Sequence, residues 1–98
     1  MIHSKTIDLL KTFSIDEWKE FGLFLESPFH NKDKILFSLY NAIKKFHPEF
    51  RSSWLTKEKI FSKIYPAKPY NDSRMRNLLS DLLRSAQEFI SITAIKND

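Results

Sequence analysis

The sequence predicts an all-α protein, a compact bundle of about five helices in which the last helix is the longest. Only one glycine, Gly22, occurs in 98 residues, whereas all-β folds need many tight turns with positive φ, which glycine mostly supplies. Apolar residues recur at intervals of three and four over most of the chain, the spacing of amphipathic helices. The length suits one domain over residues 1–98, either complete or the N-terminal domain of a longer protein.

The first two predicted helices are separated by a clear start signal. The first is expected over about residues 4–12, where apolar residues have helical spacing. Ser14 and Glu17 form the S-x-x-E pattern of a capping box, so a second helix should begin there. It should end at the Ser27-Pro28 dipeptide, because proline disfavours helical angles in the residue before it. The expected buried stripe of this second helix is Ile15, Trp18, Phe21, Phe24 and Leu25.

The third predicted helix lies between an N-cap and a proline. Asn31 is the expected N-cap of a helix over about residues 32–46, and His47-Pro48 should end it. Residues 48–55 are expected to be irregular. Three of them are apolar enough to pack on the core: Phe50, Trp54 and Leu55.

The last two helices begin at polar residues that suit N-caps. Thr56 should cap a fourth helix over about residues 57–65, and either Asn71 or Asp72 should cap the fifth, over about residues 72–93. The fifth helix should pack against most of the others. The expected core of the bundle is Trp18, Phe21, Leu36, Leu39, Ile43, Ile60, Phe61, Ile64, Leu78, Leu82, Ala86 and Phe89.

Residue spacing indicates no catalytic or metal site. The absence of cysteine excludes disulfides and Cys-ligated zinc and fits a cytoplasmic location. His3, His30 and His47 lie far apart in the sequence and are expected at surface or capping positions. There is no glycine-rich phosphate loop, and no apolar run approaches the ~20 residues that a membrane span needs. We therefore expect no enzymatic activity, no cofactor and no membrane partner.

Positive charge is concentrated in the second half of the chain. Residues 1–50 contain seven Lys/Arg and seven Asp/Glu, whereas residues 51–98 contain nine and five. A basic half of this kind suits nucleic acid, an acidic protein or anionic lipid, and it is equally expected of a merely solvated cationic surface.

Residues 56–84 resemble a helix-turn-helix segment, which makes DNA binding the alternative function. In such motifs the first turns of the second helix enter the major groove, where Arg reads guanine, Asn reads adenine and Lys or Ser binds phosphate. The connection of about six residues is longer than the motif usually has. The residues of suitable type are Lys57, Lys63, Lys68, Ser73, Arg74, Arg76, Asn77 and Arg84.

The end of the long helix carries the main functional hypothesis. If the bundle covers only the first part of this helix, an apolar strip stays exposed near its end. Such a strip marks a contact with a second copy, with another protein, or with a continuation of the chain. The sequence therefore predicts a non-catalytic protein-interaction or assembly module, and the strip would consist of Ala86, Phe89, Ile90 and Thr93.

Short elements of the chain also resemble a known group of proteins. The pattern S-P-F-H-N stands at residues 27–31, and P-Y-N follows at residues 69–71, next to helical segments at 55–61 and 76–82. Together these elements resemble, over about residues 7–92, the N-terminal helical region of uncharacterised proteins from the Bacteroidetes. Members of that group typically continue for several hundred helical residues. The resemblance thus implies a bacterial N-terminal domain, or a stand-alone version of one, and no catalytic residue.

Overall fold

The described residues form five α-helices and a short 3-10 helix. The computed structural model describes residue 2 and residues 4–27 and 34–96. No strand occurs in these ranges, and the predicted fold class, an all-α bundle with a long last helix, is confirmed. The elements are α1 (Lys5–Leu10), α2 (Ile15–Glu26), α3 (Ile35–Ile43), the 3-10 helix (Lys44–Phe46), α4 (Lys57–Ile64) and α5 (Asp72–Lys96).

Side-chain caps start α2 and α4 where the sequence predicts them. The backbone N–H of Glu17 donates to the hydroxyl of Ser14 at 3.1 Å, and the Glu17 carboxylate accepts from the Ser14 backbone N–H at 2.8 Å. The hydroxyl of Thr56 accepts from the backbone N–H of Lys59 at 3.2 Å. Each cap satisfies backbone donors that the helix itself leaves unpaired.

The start of α5 is held by three consecutive residues. The side-chain oxygen of Asn71 accepts from the Arg74 backbone N–H at 3.0 Å, so Asn71 is the N-cap of α5. Asp72 then occupies the first turn, where a carboxylate interacts favourably with the helix dipole. Its two oxygens also accept from the Tyr70 hydroxyl at 2.8 Å and from Arg76 Nε at 3.1 Å.

Two helices are shorter than predicted. The first ends at Leu10 instead of near residue 12. The third begins at Ile35, preceded by Lys34 without a side-chain cap, instead of at residue 32; the predicted N-cap Asn31 lies outside the described residues. The end of this third helix narrows into the 3-10 helix, as helix termini often do.

The long helix α5 is the element against which the others pack. It has 25 residues, roughly 37 Å at 1.5 Å per residue, and it contacts all four other α-helices. α1 is joined to it by a buried hydrogen bond, in which the Thr6 hydroxyl donates to the Leu79 carbonyl at 2.7 Å. The buried face of α5 consists of Met75, Leu78, Leu79, Leu82, Ala86 and Phe89.

α2 and α3 approach each other closely at Gly22. A Cβ atom at this position would lie 2.7 Å from Cζ of Tyr40, well inside van der Waals contact. The Tyr40 ring is held there because its hydroxyl donates to the Trp18 carbonyl at 2.9 Å. Burial raises the pKa of Tyr40, so the hydroxyl stays a donor at neutral pH. The only glycine of the chain therefore makes room for a ring on the neighbouring helix.

Two residues predicted to be buried lie outside the core. Ile15 is 64% exposed, because it lies about a quarter turn from the middle of the buried face of α2. Trp54 is 66% exposed, and Lys59 Nζ lies 4.3 Å from the centroid of its ring. Its neighbours in the irregular segment, Phe50 and Leu55, are fully buried as predicted. Ile64 of the predicted core is only partly buried.

Substituting Gly22 with alanine should destabilise the fold. Alanine is the better helix former by about 1 kcal/mol, but its Cβ would displace the Tyr40 ring from a packed position. We expect the free energy of unfolding to fall by about 1–3 kcal/mol, measured by urea denaturation. In a Tyr40→Leu background, where the ring is gone, the same substitution should become neutral or stabilising. An equal effect in both backgrounds would contradict the close contact.

Candidate functional site

The bundle covers the inward face of α5 as far as Phe89, contrary to the condition on which the predicted apolar strip depended. Ala86 is fully buried and Phe89 is only 5% exposed. Ile90 is 37% exposed and Thr93 is half-buried, so these two alone keep accessible surface from the predicted strip. The placement of Ala86 and Phe89 on an accessible strip is therefore wrong. Phe89 is covered because its ring packs, at centroid distances of 5.5–5.9 Å, on Phe13, Phe21 and Phe24.

Four of the residues proposed for DNA contact share one exposed face of α5. Both cations on this face have carboxylate neighbours. Arg76 pairs with Asp72, as described above, and Arg84 lies 3.9 Å from Asp81. Exposed pairs of this kind contribute little to stability, but they offset part of the charge that a phosphate would meet. The four residues are Ser73, Arg76, Asn77 and Arg84.

The other proposed DNA contacts are spread over three places. Arg74 and Lys68 both lie against the ring of Tyr65, at 5.4 and 5.6 Å from its centroid, which is cation–π distance. Lys57 lines a cavity beside α1 and α5 that Arg76 also lines. Lys63 lines a different and larger cavity. The structure therefore does not gather the eight residues on one surface.

The larger cavity, of about 560 Å³, opens beside α2 where α3 ends. Side chains from α2, from α3 with its 3-10 helix, and from α4 form its walls. Four of the lining residues are lysines and none is acidic. We call it the lysine pocket, and its lining residues are Ile15, Trp18, Lys19, Asn41, Ala42, Lys44, Lys45, His47, Pro48 and Lys63.

The wall of the lysine pocket is held by the stack of His47 on Trp18. The two rings are parallel within 2°, with centroids 4.7 Å apart. His47 Nε2 lies 2.8 Å from the Phe13 carbonyl oxygen, and because a carbonyl only accepts, Nε2 must carry a proton. Phe50 contacts both rings edge-on at 5.8 Å. His47 is the C-cap of the 3-10 helix, so its expected capping position is confirmed, and its half-buried ring also forms the stack; His3 and His30 lie outside the described residues.

Phe50 reaches this position through an uncommon backbone conformation. Its φ is 52°, in the left-handed region that non-glycine residues seldom adopt. Its backbone N–H donates to the Phe46 carbonyl at 2.7 Å, which closes the turn after the 3-10 helix. The fully buried ring then packs behind Trp18 and His47, so its burial offsets the backbone strain.

The lysines of the pocket lie together without a carboxylate partner. In the part of the chain that the structure describes, the only ion pairs within 4.0 Å are the two on α5. Desolvation and then the positive charge of Lys45 lower the pKa of Lys63. Lys44 and Lys45 also suit the negative end of the α3 dipole. Lys63 has the corresponding place in the last turn of α4, so Lys19 is the pocket lysine to which this role does not apply.

Sequence reasoning missed this pocket because charge was compared by halves of the chain. Lys19, Lys44 and Lys45 belong to the first half, which is neutral, and only Lys63 belongs to the basic half. The paired lysines at 44 and 45 were the only local signal. Their meeting with Lys19 and Lys63 depends on how three helices pack.

Comparison of the chain with protein-family models, with curated proteins and with solved structures yields no match. Among the described residues, no three His, Cys, Asp or Glu side chains lie close enough together to hold a metal ion. No helix within the described ranges is long and apolar enough to cross a membrane.

Replacing Lys45 with methionine should raise the pKa of Lys63 part of the way back toward its ordinary value of 10.5. The substitution removes the like charge but leaves the desolvation. Because two protonated lysines repel only when folding brings them together, this repulsion opposes folding below the pKa of Lys63 and fades above it. The ¹³Cε shift of Lys63, followed by NMR against pH, reports the pKa. Lys11→Met is the control. An equal change in the pKa of Lys63 in both variants would contradict the repulsion between Lys45 and Lys63.

Proposed function

We propose that this chain is a non-catalytic helical module that acts by binding another protein, chiefly through the outer face of α2. The observation that carries the proposal is the exposure of two large aliphatic side chains on this helix. Ile15 is 64% exposed and Leu23 is 68% exposed. Lys19 stands between them, four residues from each, so the three side chains follow one another along the same side of the helix. We call Ile15, Lys19 and Leu23 the α2 ridge.

The two apolar residues of the α2 ridge are not part of the hydrophobic core. The inward face of α2 is already filled by Trp18, Phe21 and Leu25, all of them buried. Covering an aliphatic side chain on a partner stabilises the complex by roughly 1.5–3 kcal/mol, relative to leaving it in water. Two such residues beside a concave pocket form the core of a small interface better than single scattered ones do.

The C-terminal helix contributes less to this proposal than the sequence suggested. With Ala86 and Phe89 buried, only Ile90 and Thr93 of the predicted strip can touch a partner. The Thr93 hydroxyl, moreover, is within hydrogen-bond distance of the Phe89 and Ile90 carbonyls of its own helix. We therefore place the main contact on α2. The partner is either a second copy of the chain or a different protein.

Stability measurements can separate an interface role from a folding role. Leu23→Ala should change the free energy of unfolding by less than about 0.5 kcal/mol, as exposed substitutions usually do. Leu25→Ala, two residues away but 1% exposed, should cost about 2–5 kcal/mol. Urea denaturation of both variants measures the difference. Equal losses would mean that Leu23 serves the fold, and the α2 ridge would lose its role as an interface.

Photo-crosslinking in the native host tests the binding itself. A benzophenone amino acid at position 23 should give discrete adducts, while the same group at Glu88, exposed on α5, should not. Mass spectrometry of the adducts distinguishes a second copy from a different protein. No adduct from position 23, or the same adducts from both positions, would overturn the proposal.

Duplex DNA binding by the start of α5 is a second candidate, favoured by the shared exposed face of Ser73, Arg76, Asn77 and Arg84. Counterion release makes such binding fall steeply with salt. Because Arg76 and Arg84 have carboxylate neighbours, we expect no binding of duplex DNA by fluorescence anisotropy at about 50 mM salt. Salt-dependent binding that is lost in an Arg76→Glu, Arg84→Glu variant and kept in Lys11→Glu, Lys34→Glu, at exposed positions away from this face, would replace the protein-binding proposal.

A further inference from the structure

We propose that the lysine pocket binds an acidic segment of the partner protein, with carboxylates on the lysines and an apolar side chain against the pocket wall. This inference rests on the proposed function, since it names the chemistry of the partner that the α2 ridge meets. Lys19 belongs both to the α2 ridge and to the pocket lining, as does Ile15, so one bound segment can contact both.

Charge supplies the first part of the argument. Lys19 comes from α2, Lys44 and Lys45 from the 3-10 helix, and Lys63 from α4, and they line one concavity. No carboxylate of the described chain lies within 4.0 Å of these ammonium groups. The lowered pKa of Lys63 reflects in part the repulsion from Lys45. An anionic ligand would relieve this repulsion and bring complementary charge to every side of the pocket.

The apolar part of the pocket defines the rest of the ligand. Ile15, Ala42 and Pro48 line the cavity together with the edge of the Trp18–His47 stack. A bare phosphate would meet the lysines but leave the apolar wall in water. A peptide with alternating acidic and aliphatic side chains would cover both kinds of surface.

Nucleic acid fits the pocket less well than an acidic peptide does. Single-stranded nucleic acids usually stack their bases on exposed aromatic rings or on arginine planes. The pocket is lined by no arginine. Trp18 is 4% exposed, and its ring already contacts His47 at 4.7 Å and Tyr40 at 4.6 Å. Because its rings are engaged with one another, the pocket offers lysines for phosphates but no platform for bases.

The two tryptophans make a direct binding test feasible. Trp54 is exposed and lies outside the lining of the pocket, so Trp54→Phe leaves Trp18 as the single indole fluorophore. Trp18 emission would then be followed during titration with a short peptide of alternating glutamate and leucine. The comparison probes are the same peptide with glutamine for glutamate, inorganic pyrophosphate and oligothymidylate. We expect saturable binding of the glutamate peptide. The affinity for each of the other three probes should be lower by about tenfold or more.

Charge reversal at the pocket should abolish the preference for the glutamate peptide over the other probes. Lys45→Glu, Lys63→Glu should weaken glutamate-peptide binding by about tenfold or more. Lys5→Glu, Lys11→Glu removes the same amount of charge from exposed positions on or beside α1 and should keep the affinity. Because a carboxylate at position 45 opposes the α3 dipole, the neutral Lys45→Gln, Lys63→Gln variant serves as the second test. Thermal unfolding followed by circular dichroism verifies that each variant is folded.

The outcomes separate this inference from the proposed function. Equal binding of the glutamate and glutamine peptides, equal loss in the pocket and control variants, or no saturation would overturn the inference. Tighter binding of pyrophosphate or oligothymidylate would overturn it as well, in favour of a phosphate ligand. If crosslinking from position 23 persists in Lys45→Glu, Lys63→Glu, the protein-binding proposal stands without the pocket. If the peptide binds but position 23 gives no adduct in cells, the proposed function fails although the pocket chemistry holds.

Discussion

The Tyr40 ring rests on the backbone of α2 at Gly22, and the candidate site depends on this contact. A side chain larger than hydrogen at position 22 would move the ring, because a Cβ would lie 2.7 Å from it. The hydroxyl of the same tyrosine donates a hydrogen bond to the Trp18 carbonyl, and the Trp18 ring in turn stacks on His47. The lack of a side chain at Gly22 thus allows the close spacing of α2 and α3, and that spacing determines the wall of the lysine pocket.

The pocket and the α2 ridge combine two kinds of surface that a folded monomer does not need. Exposed aliphatic side chains stand beside ammonium groups, among which desolvation and then the positive charge of Lys45 lower the pKa of Lys63. Both features become favourable only when a ligand of opposite charge and with apolar side chains covers them. Such a ligand would bind only the folded chain, since the lysines of the pocket come from three helices, and it would therefore raise the apparent stability of the fold.

The start of α5 shows the opposite arrangement. Its cations are largely engaged within the chain: Arg76 with Asp72, Arg84 beside Asp81, and Arg74 against the ring of Tyr65. Burial and the hydrogen bond to Asp72 raise the pKa of Tyr70 to about 12, so this hydroxyl remains a donor to the helix start throughout the physiological range. Interactions of this kind stabilise a helix terminus. Among the pocket lysines, Lys45 also has a ring contact, with its Nζ 5.4 Å from the Phe46 centroid, but no described carboxylate lies within 4.0 Å of any of the four. The contrast is the reason for placing the candidate site on α2 and not on α5.

Local interactions are what the sequence by itself determined. The capping box at Ser14 and the N-caps at Thr56 and Asn71 act over three residues, so their patterns can be read without knowing the rest of the fold. Helical periodicity likewise identified most of the core. Tertiary structure alone decided that Ile15 stays exposed. The apolar pattern of α2 does not show how wide a face of this helix the neighbouring helices will cover. Tertiary structure alone also brought Lys63 beside Lys45, since charges distant in sequence meet only when helices pack.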